Sequence, residues 1–211
     1  MFTGDWWFKT LVLANNENDQ VTLTKTGTWT WNNGTAKQYY FRCGSGKNSK
    51  ASFTNESGGT MNCNNTNVIA RGSGSIGIAE INGGTYNGNS KPFYVAKGTN
   101  STGRVVVNGG TLKIADVHLG NDNGANASVI VSNGTLNVTG HFRLGYKAGG
   151  VTTNYLEVAG GTFTQSASKN VYVGARSFAF PRSRNRSLCS LADERDHPHC
   201  TIPLFADVPI Q

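Results

Sequence analysis

Apolar and polar residues alternate with a period of two in short bursts, and the bursts return at a steady interval. The clearest is Arg104 to Ile114, which reads R-V-V-V-N-G-G-T-L-K-I. Val105 and Val107 share one side of an extended strand, a Gly-Gly-Thr turn follows, and Leu112 and Ile114 resume the alternation. Anchored on the threonine after the turn, the phrase recurs at Thr28, Thr60, Thr85, Thr111, Thr135 and Thr162, in steps of 32, 25, 26, 24 and 27 residues. Glycine precedes each of these threonines, and a large apolar residue follows each, from Trp29 and Met61 to Leu136 and Phe163. In five of the six repeats the place before that glycine holds Gly58, Gly83, Gly109, Asn133 or Gly160, residue types that tolerate positive φ. Every repeat is therefore expected to turn there.

A further strand closes each repeat, expected over Phe41–Gly44, Ile69–Gly72, Val95–Gly98, Val117–Gly120, Phe142–Gly145 and Val171–Gly174. No stretch carries a sustained 3.6-residue apolar period, so the chain reads as all-β. A unit of about 25 residues made of strands and turns suits one coil of a parallel β-helix, and about six coils fit. One coil cannot bury its own inner face; stacked coils enclose a continuous core and pair their backbones in parallel ladders. Val105, Val107, Val129, Val131, Leu156 and Val158 are expected inside, with Val106, Ile130 and Glu157 outside. The first two coils are less regular, each with one apparent extra residue before the turn, which assigns Val21 and Leu23, then Phe53 and Asn55, to inward places.

This pattern divides the chain into residues 1–20, a partial first coil or a cap, residues 21–177, the repeat array, and residues 178–211, an irregular tail. Phe8–Asn16 resembles the segment from Phe142, so the chain reads as starting in mid-coil; alternatively Trp6, Trp7 and Phe8 plug the end of the solenoid. The tail holds four of the five prolines, no glycine and one asparagine. It reads as a cap, a linker, an interaction tail or a stretch in a foreign reading frame.

With 27 glycines and 15% charged residues the composition is that of a loop-rich β chain, and no apolar run reaches membrane-spanning length. The N-terminus shows no basic region followed by an apolar segment, so no signal peptide is read there. The net charge is +7, and the tail nets zero, so the excess lies upstream. No phosphate-binding glycine loop, G-x-S-x-G elbow or H-E-x-x-H is present. Cys189, His197, His199 and Cys200 offer zinc-ligand types at an unfamiliar spacing, and no metal or cofactor is expected. Cys43 and Cys63 fall at inward positions of neighbouring coils, as small core residues or as a disulfide.

Inside the array the acids are sparse. Glu80 and Glu157 share an outward column but are separated by the coils of Val106 and Ile130, which gives no paired carboxylates for glycoside chemistry. The positive feature is basic. Arg42, Arg71, Lys97, His118 and Arg143 each fall one or two residues before the glycine that closes the last strand. Stacking turns such a column into a vertical stripe able to grip an acidic polymer, or into a merely solvated face. His118 is expected outward and alone, on the same strand of successive coils as His141.

The phrase apolar-x-apolar-x-Gly-Gly-Thr-Leu, clearest at Val105–Leu112, Val129–Leu136 and Leu156–Phe163, resembles the autotransporter-associated β-strand repeats of bacterial surface and secreted passenger proteins. The resemblance spans about Val21 to Gly174. It implies a right-handed parallel β-helix displayed outside the cell, often as a stalk within a longer chain of coils. The function expected is a structural or adhesive solenoid segment without enzymatic activity, with acidic glycans as possible partners and nucleic acid not expected. A fragment of a carbohydrate-active β-helix, a lyase or hydrolase, is the alternative.

Overall fold

The computed structural model describes residues 6–7, 10–25, 28–31, 41–56, 59–63, 65–88, 91–145, 152–174 and 182–183. The chain opens with β1 (Trp6–Trp7) and β2 (Leu11–Leu13), and then repeats a triplet of six-, four- and three-residue strands. The triplets are β3 (Gln20–Lys25), β4 (Thr28–Trp31) and β5 (Phe41–Cys43); β6 (Lys50–Asn55), β7 (Thr60–Cys63) and β8 (Asn67–Ile69); β9 (Ile76–Ile81), β10 (Thr85–Gly88) and β11 (Phe93–Val95); β12 (Thr102–Val107), β13 (Thr111–Ile114) and β14 (Val117–Leu119); β15 (Asn126–Val131), β16 (Thr135–Val138) and β17 (Phe142–Leu144); β18 (Asn154–Val158), β19 (Thr162–Gln165) and β20 (Val171–Val173). A last strand, β21 (Arg182–Ser183), pairs with β18.

Every strand pairs in parallel with the strand three places on, which builds three seven-stranded sheets around one core. This is the expected parallel β-solenoid, with no helix among the described residues. Period-two alternation decides which side chains go inside. Val105, Val107, Val129 and Val131 are buried, and Val106 and Ile130 stand half-exposed between them. Leu156 and Val158 pack partly buried against the same core. The Gly-Gly-Thr turn is demanded by stacking: a Cβ on Gly109, whose φ is +148°, would lie 2.7 Å from the carbonyl oxygen of Asn82 one coil below.

The interior is apolar over most of its length and aromatic near β5 to β11. Phe41 meets Phe53 edge to face at 5.0 Å between ring centres, and Tyr86 lies within 6.5 Å of Phe41, Phe53 and Phe93. Buried Tyr86 donates its hydroxyl to Asn67 Oδ1 at 2.7 Å, and Asn67 Nδ2 donates to the Asn65 carbonyl, so this polar pair is satisfied inside. Cys43 and Cys63 are buried free thiols with no disulfide between them. Burial pushes Cys43 up to about 12 and Cys63 up to about 11, which makes both inert as nucleophiles.

The structure corrects several details of register. Leu23 and Lys25 line up with Phe53 and Asn55, and Val21 lines up with Ala51 at the coil's end, where it is 36% exposed. Three residues separate Val107 from Thr111, four separate Asn55 from Thr60, and two separate Lys25 from Thr28. The second coil thus carries one extra residue as expected, whereas the first carries one fewer. A lysine is thereby drawn into the core column: Lys25 is fully buried, and desolvation lowers its pKa to about 8.

In the second and third coils the closing strands are Asn67–Ile69 and Phe93–Val95, two residues earlier than the glycines Gly72 and Gly98 suggest. The residues equivalent to Gly44 and Gly120 are Ala70 and Ala96, at φ 59° and 56°, so alanine occupies the left-handed conformation there. Gly72 and Gly98 instead match Gly46, where stacked turns approach too closely for a Cβ. At the start, Leu11 rather than Phe8 shares the column that leads to Phe142, and β1 lies alongside β4 as an edge strand. Phe8 itself and nearly all of the tail lie outside the described residues. Arg182 and Ser183 are the exception, since they extend the six-residue-strand sheet.

A candidate binding face

The three-residue strands are too short to present more than one outward side chain each. Their middle residues therefore form a single outer column: Val12, Arg42, Val68, Tyr94, His118, Arg143 and Tyr172. Arg42, His118 and Arg143 stand in it as the sequence suggested. Arg71 and Lys97 do not. The corrected register moves both into the turn beyond the strand, where their amides donate to the carbonyls of Gly44 and Ala70 one coil below. The expected single stripe is two neighbouring files.

The side chains narrow that gap. Lys97 folds back so that Nζ sits 4.4 Å from the ring centre of Tyr94. The Tyr94 ring in turn lies 4.9 Å from the His118 imidazole. Arg143 Nη1 donates to His118 Nε2 at 3.4 Å, and its guanidinium carbon is 5.3 Å from the Tyr172 ring centre. At one edge Asp116 approaches Arg143 at 3.8 Å and accepts the backbone N–H of His141 at 2.6 Å. His141 precedes β17 rather than lying on it, and its ring rests against Tyr172 at 5.5 Å.

His118 is neither solitary nor solvated: it is 7% exposed, wedged between Tyr94 and Arg143. Burial, then the Arg143 charge, lowers its pKa to about 4, with Asp116 opposing and Lys97 adding a smaller push in the same direction. It is thus neutral at pH 7, and its Nε2 serves Arg143 as an acceptor. The stripe expected to be uniformly cationic carries an uncharged rung in its middle.

The arrangement holds cations in place. Tyr94 and His118 lie tilted by 31° with ring centres 4.9 Å apart, His141 and Tyr172 tilted by 53° at 5.5 Å, and Lys97 and Arg143 sit over the Tyr94 and Tyr172 rings. What the face offers outward is ammonium, guanidinium and hydroxyl groups. Each cation–π contact contributes about 0.5–2 kcal/mol and restrains a long side chain that otherwise loses entropy on binding.

Among the described residues the acids of the outer sheet faces stand apart. Glu80, Val106, Ile130 and Glu157 follow one another in one outer column. Three coil steps of about 4.8 Å put the two acids roughly 14 Å apart, beyond the separation of either retaining or inverting glycosidase pairs. Among the described residues no group of three His, Cys, Asp or Glu is placed to hold a metal ion. Cys189, His197, His199 and Cys200 lie outside the described residues. No helix among the described residues is long and apolar enough to cross a membrane.

Sequence reasoning missed Tyr94, Tyr172 and Asp116 as parts of this face. For Tyr94 the missing signal was the strand register: aligned on Ala96 rather than Gly98, Tyr94 falls directly between Val68 and His118.

The fold and the face together define a parallel β-solenoid with one cation–aromatic outer column. No protein-family model, curated protein or solved structure matches the chain.

Proposed function

We propose that this chain is a structural, adhesive solenoid segment of a bacterial cell-surface or secreted protein, and that it binds acidic glycans along the face of the three-residue strands. The observation that supports it is the run Lys97–Tyr94–His118–Arg143–Tyr172, in which two cations are steadied by rings. Arg42 and Arg71 extend the charge toward the first coil. The surface and secreted setting rests on the likeness of the Gly-Gly-Thr phrase to the autotransporter-associated repeats.

A strand face that repeats cations along the solenoid axis suits a polymer that lies along it. Coils about 4.8 Å apart keep neighbouring cations within one Debye length at physiological salt, so their fields add. The test is binding to an immobilised acidic polysaccharide and to a neutral one of equal length, across a salt series. Preferential retention on the acidic polymer, weakening with salt and lost in the Arg42, Arg71, Lys97 and Arg143 fourfold serine variant, is expected. Retention that ignores salt, or survives the fourfold change, rules the proposal out.

A further inference from the structure

We infer that the sheet of four-residue strands is an ice-binding face, on which two files of outward side chains order water into the lattice of an ice crystal. This is a different sheet from the one that carries the basic column, and the inference does not depend on the glycan reading.

The two files follow from register. In β7, β10, β13, β16 and β19 the first and third residues face outward, and the second and fourth face the core. The first is threonine every time: Thr60, Thr85, Thr111, Thr135 and Thr162 pair one to one from coil to coil. The third residues, Asn62, Asn87, Lys113, Asn137 and Thr164, form a second file beside them. Register sets Thr28 and Thr30 of β4 at the same two positions. Stacking spaces the rungs about 4.8 Å apart, and two residues of parallel strand set the files about 6.6 Å apart. Water oxygens on a prism face of hexagonal ice recur along two perpendicular directions at similar intervals. A crystal face, unlike a chain that turns at each unit, keeps that match from rung to rung.

The side chains suit ice better than an ionic or a sugar ligand. Of the ten outward places on these five strands only Lys113 is charged, and none is aromatic. A threonine carries a methyl group beside its hydroxyl, and β-branching restricts χ1, so equivalent rungs are held to few orientations. The methyl groups order the water between rungs, and the hydroxyls tether it. All five threonines are at least partly exposed, and their hydroxyls make no hydrogen bond to the described residues. On the sheet of six-residue strands, by contrast, Ser52 donates to Thr22 and Ser132 to Asn108. In the second file Asn87 Nδ2 donates to Asn62 Oδ1 at 2.9 Å, which fixes both amides. Beneath the face Met61, Tyr86, Leu112 and Leu136 are at most 1% exposed, so the grid rests on a packed core. Lys113 is the one misfit: its ammonium keeps its own hydration shell and interrupts the second file, while the threonine file runs past it unbroken.

The experiment measures, on the full chain, the gap between melting and freezing of a seeded ice crystal and the partition of protein into slowly growing ice. The parent is expected to open a gap and to enter the ice. Thr111→Tyr with Thr135→Tyr, which raises two bulky rings above the grid, is expected to abolish most of both effects while circular dichroism stays that of the parent. Lys113→Thr, which completes the second file, is expected to widen the gap, and this gain cannot arise from misfolding. The fourfold serine variant at Arg42, Arg71, Lys97 and Arg143 is expected to keep full ice activity, whatever becomes of polyanion binding.

No gap and no partition in the parent overturns the inference and leaves the glycan proposal untouched. Ice activity that survives the tyrosine pair, or is lost in the serine variant, places it on another face and overturns the assignment. A Lys113→Thr protein no better than the parent overturns the two-file grid. Retention on crystalline cellulose that the tyrosine pair removes, without any effect on ice, assigns the sheet to a crystalline glycan instead.

Discussion

Replacing Val107 with Asp is expected to break the solenoid, whereas the same change at Val106 is expected to be mild. Val107 is fully buried between Ile81 and Val131, and its Cγ1 lies against the Gly134 turn of the next coil. Losing the valine there forfeits about 1.5–3 kcal/mol of apolar burial. The carboxylate that replaces it either remains charged, at an effective cost of several kcal/mol, or takes up a proton and leaves polar oxygens among methyl groups. Five kcal/mol or more is thus lost from a fold whose total stability is of order 5–15 kcal/mol. Val106 faces outward, half-exposed, between Glu80 and Ile130, so an Asp there keeps its water and meets one like charge. That costs about 1 kcal/mol or less. Urea denaturation followed by circular dichroism compares the two. A large midpoint loss for Val107→Asp, with Val106→Asp close to the parent, is expected. Equal losses would show that the inward and outward columns are wrongly assigned. Because each coil contacts only its neighbours, the Val107 variant is also expected to broaden the transition, as the array divides into halves that unfold separately.

Lys25→Met is expected to stabilise the protein near neutral pH, because burial lowers the lysine from 10.5 to about 8. The folded pKa lies below the unfolded one, so the penalty is fully present below about pH 8 and fades as pH rises toward 10.5. The gap between variant and parent in denaturation midpoint is therefore expected to shrink between pH 7 and pH 10, and a pH-independent gap would count against a buried ammonium. Gly98→Ala places a Cβ 2.6 Å from the Gly72 carbonyl carbon and is expected to cost about 1–3 kcal/mol. Thr99→Ala, at the exposed tip of the same turn, is expected to stay within about 0.5 kcal/mol, and equal thermal shifts for the two would refute the close stacking of turns.

The six-fold recurrence of the Gly-Thr phrase made two of the three sheets legible, because those strands flank a turn that glycine must make. The third sheet was legible only in part. Its strands have three residues, too few for alternation to fix a phase, so the nearest glycine served as the marker. Gly44 and Gly46 sit two residues apart in one coil, and each has a different task. Where Ala70 and Ala96 take over the left-handed position, at a strain of about 1–2 kcal/mol each, only the second glycine remains. The apparent register then slips by two. That slip hid Tyr94 in the outer column and merged Arg71 and Lys97 with residues of a different file. Lys25 was hidden for another reason: a lysine before a turn reads as the polar end of a strand, and only the two-residue link to Thr28 places it in the core column. Asp116 joins the face through contacts between coils some 25 residues apart, which no local pattern carries.

The interstrand hydrogen bonds of all three sheets run along the long axis, and this sets how the segment answers a pulling force. Tension applied through the chain ends does not shear a sheet, which would load many bonds together. It peels the outermost coil, whose bonds to the next coil give way one after another. Each coil that peels away releases about 25 residues, roughly 80 Å of extended chain, in exchange for about 4.8 Å of rod. A segment built this way is expected to lengthen in steps at low force and to rewind on the coil left intact as a template. If the chain serves in the surface stalk proposed above, a cell tethered by it would be cushioned against sudden drag.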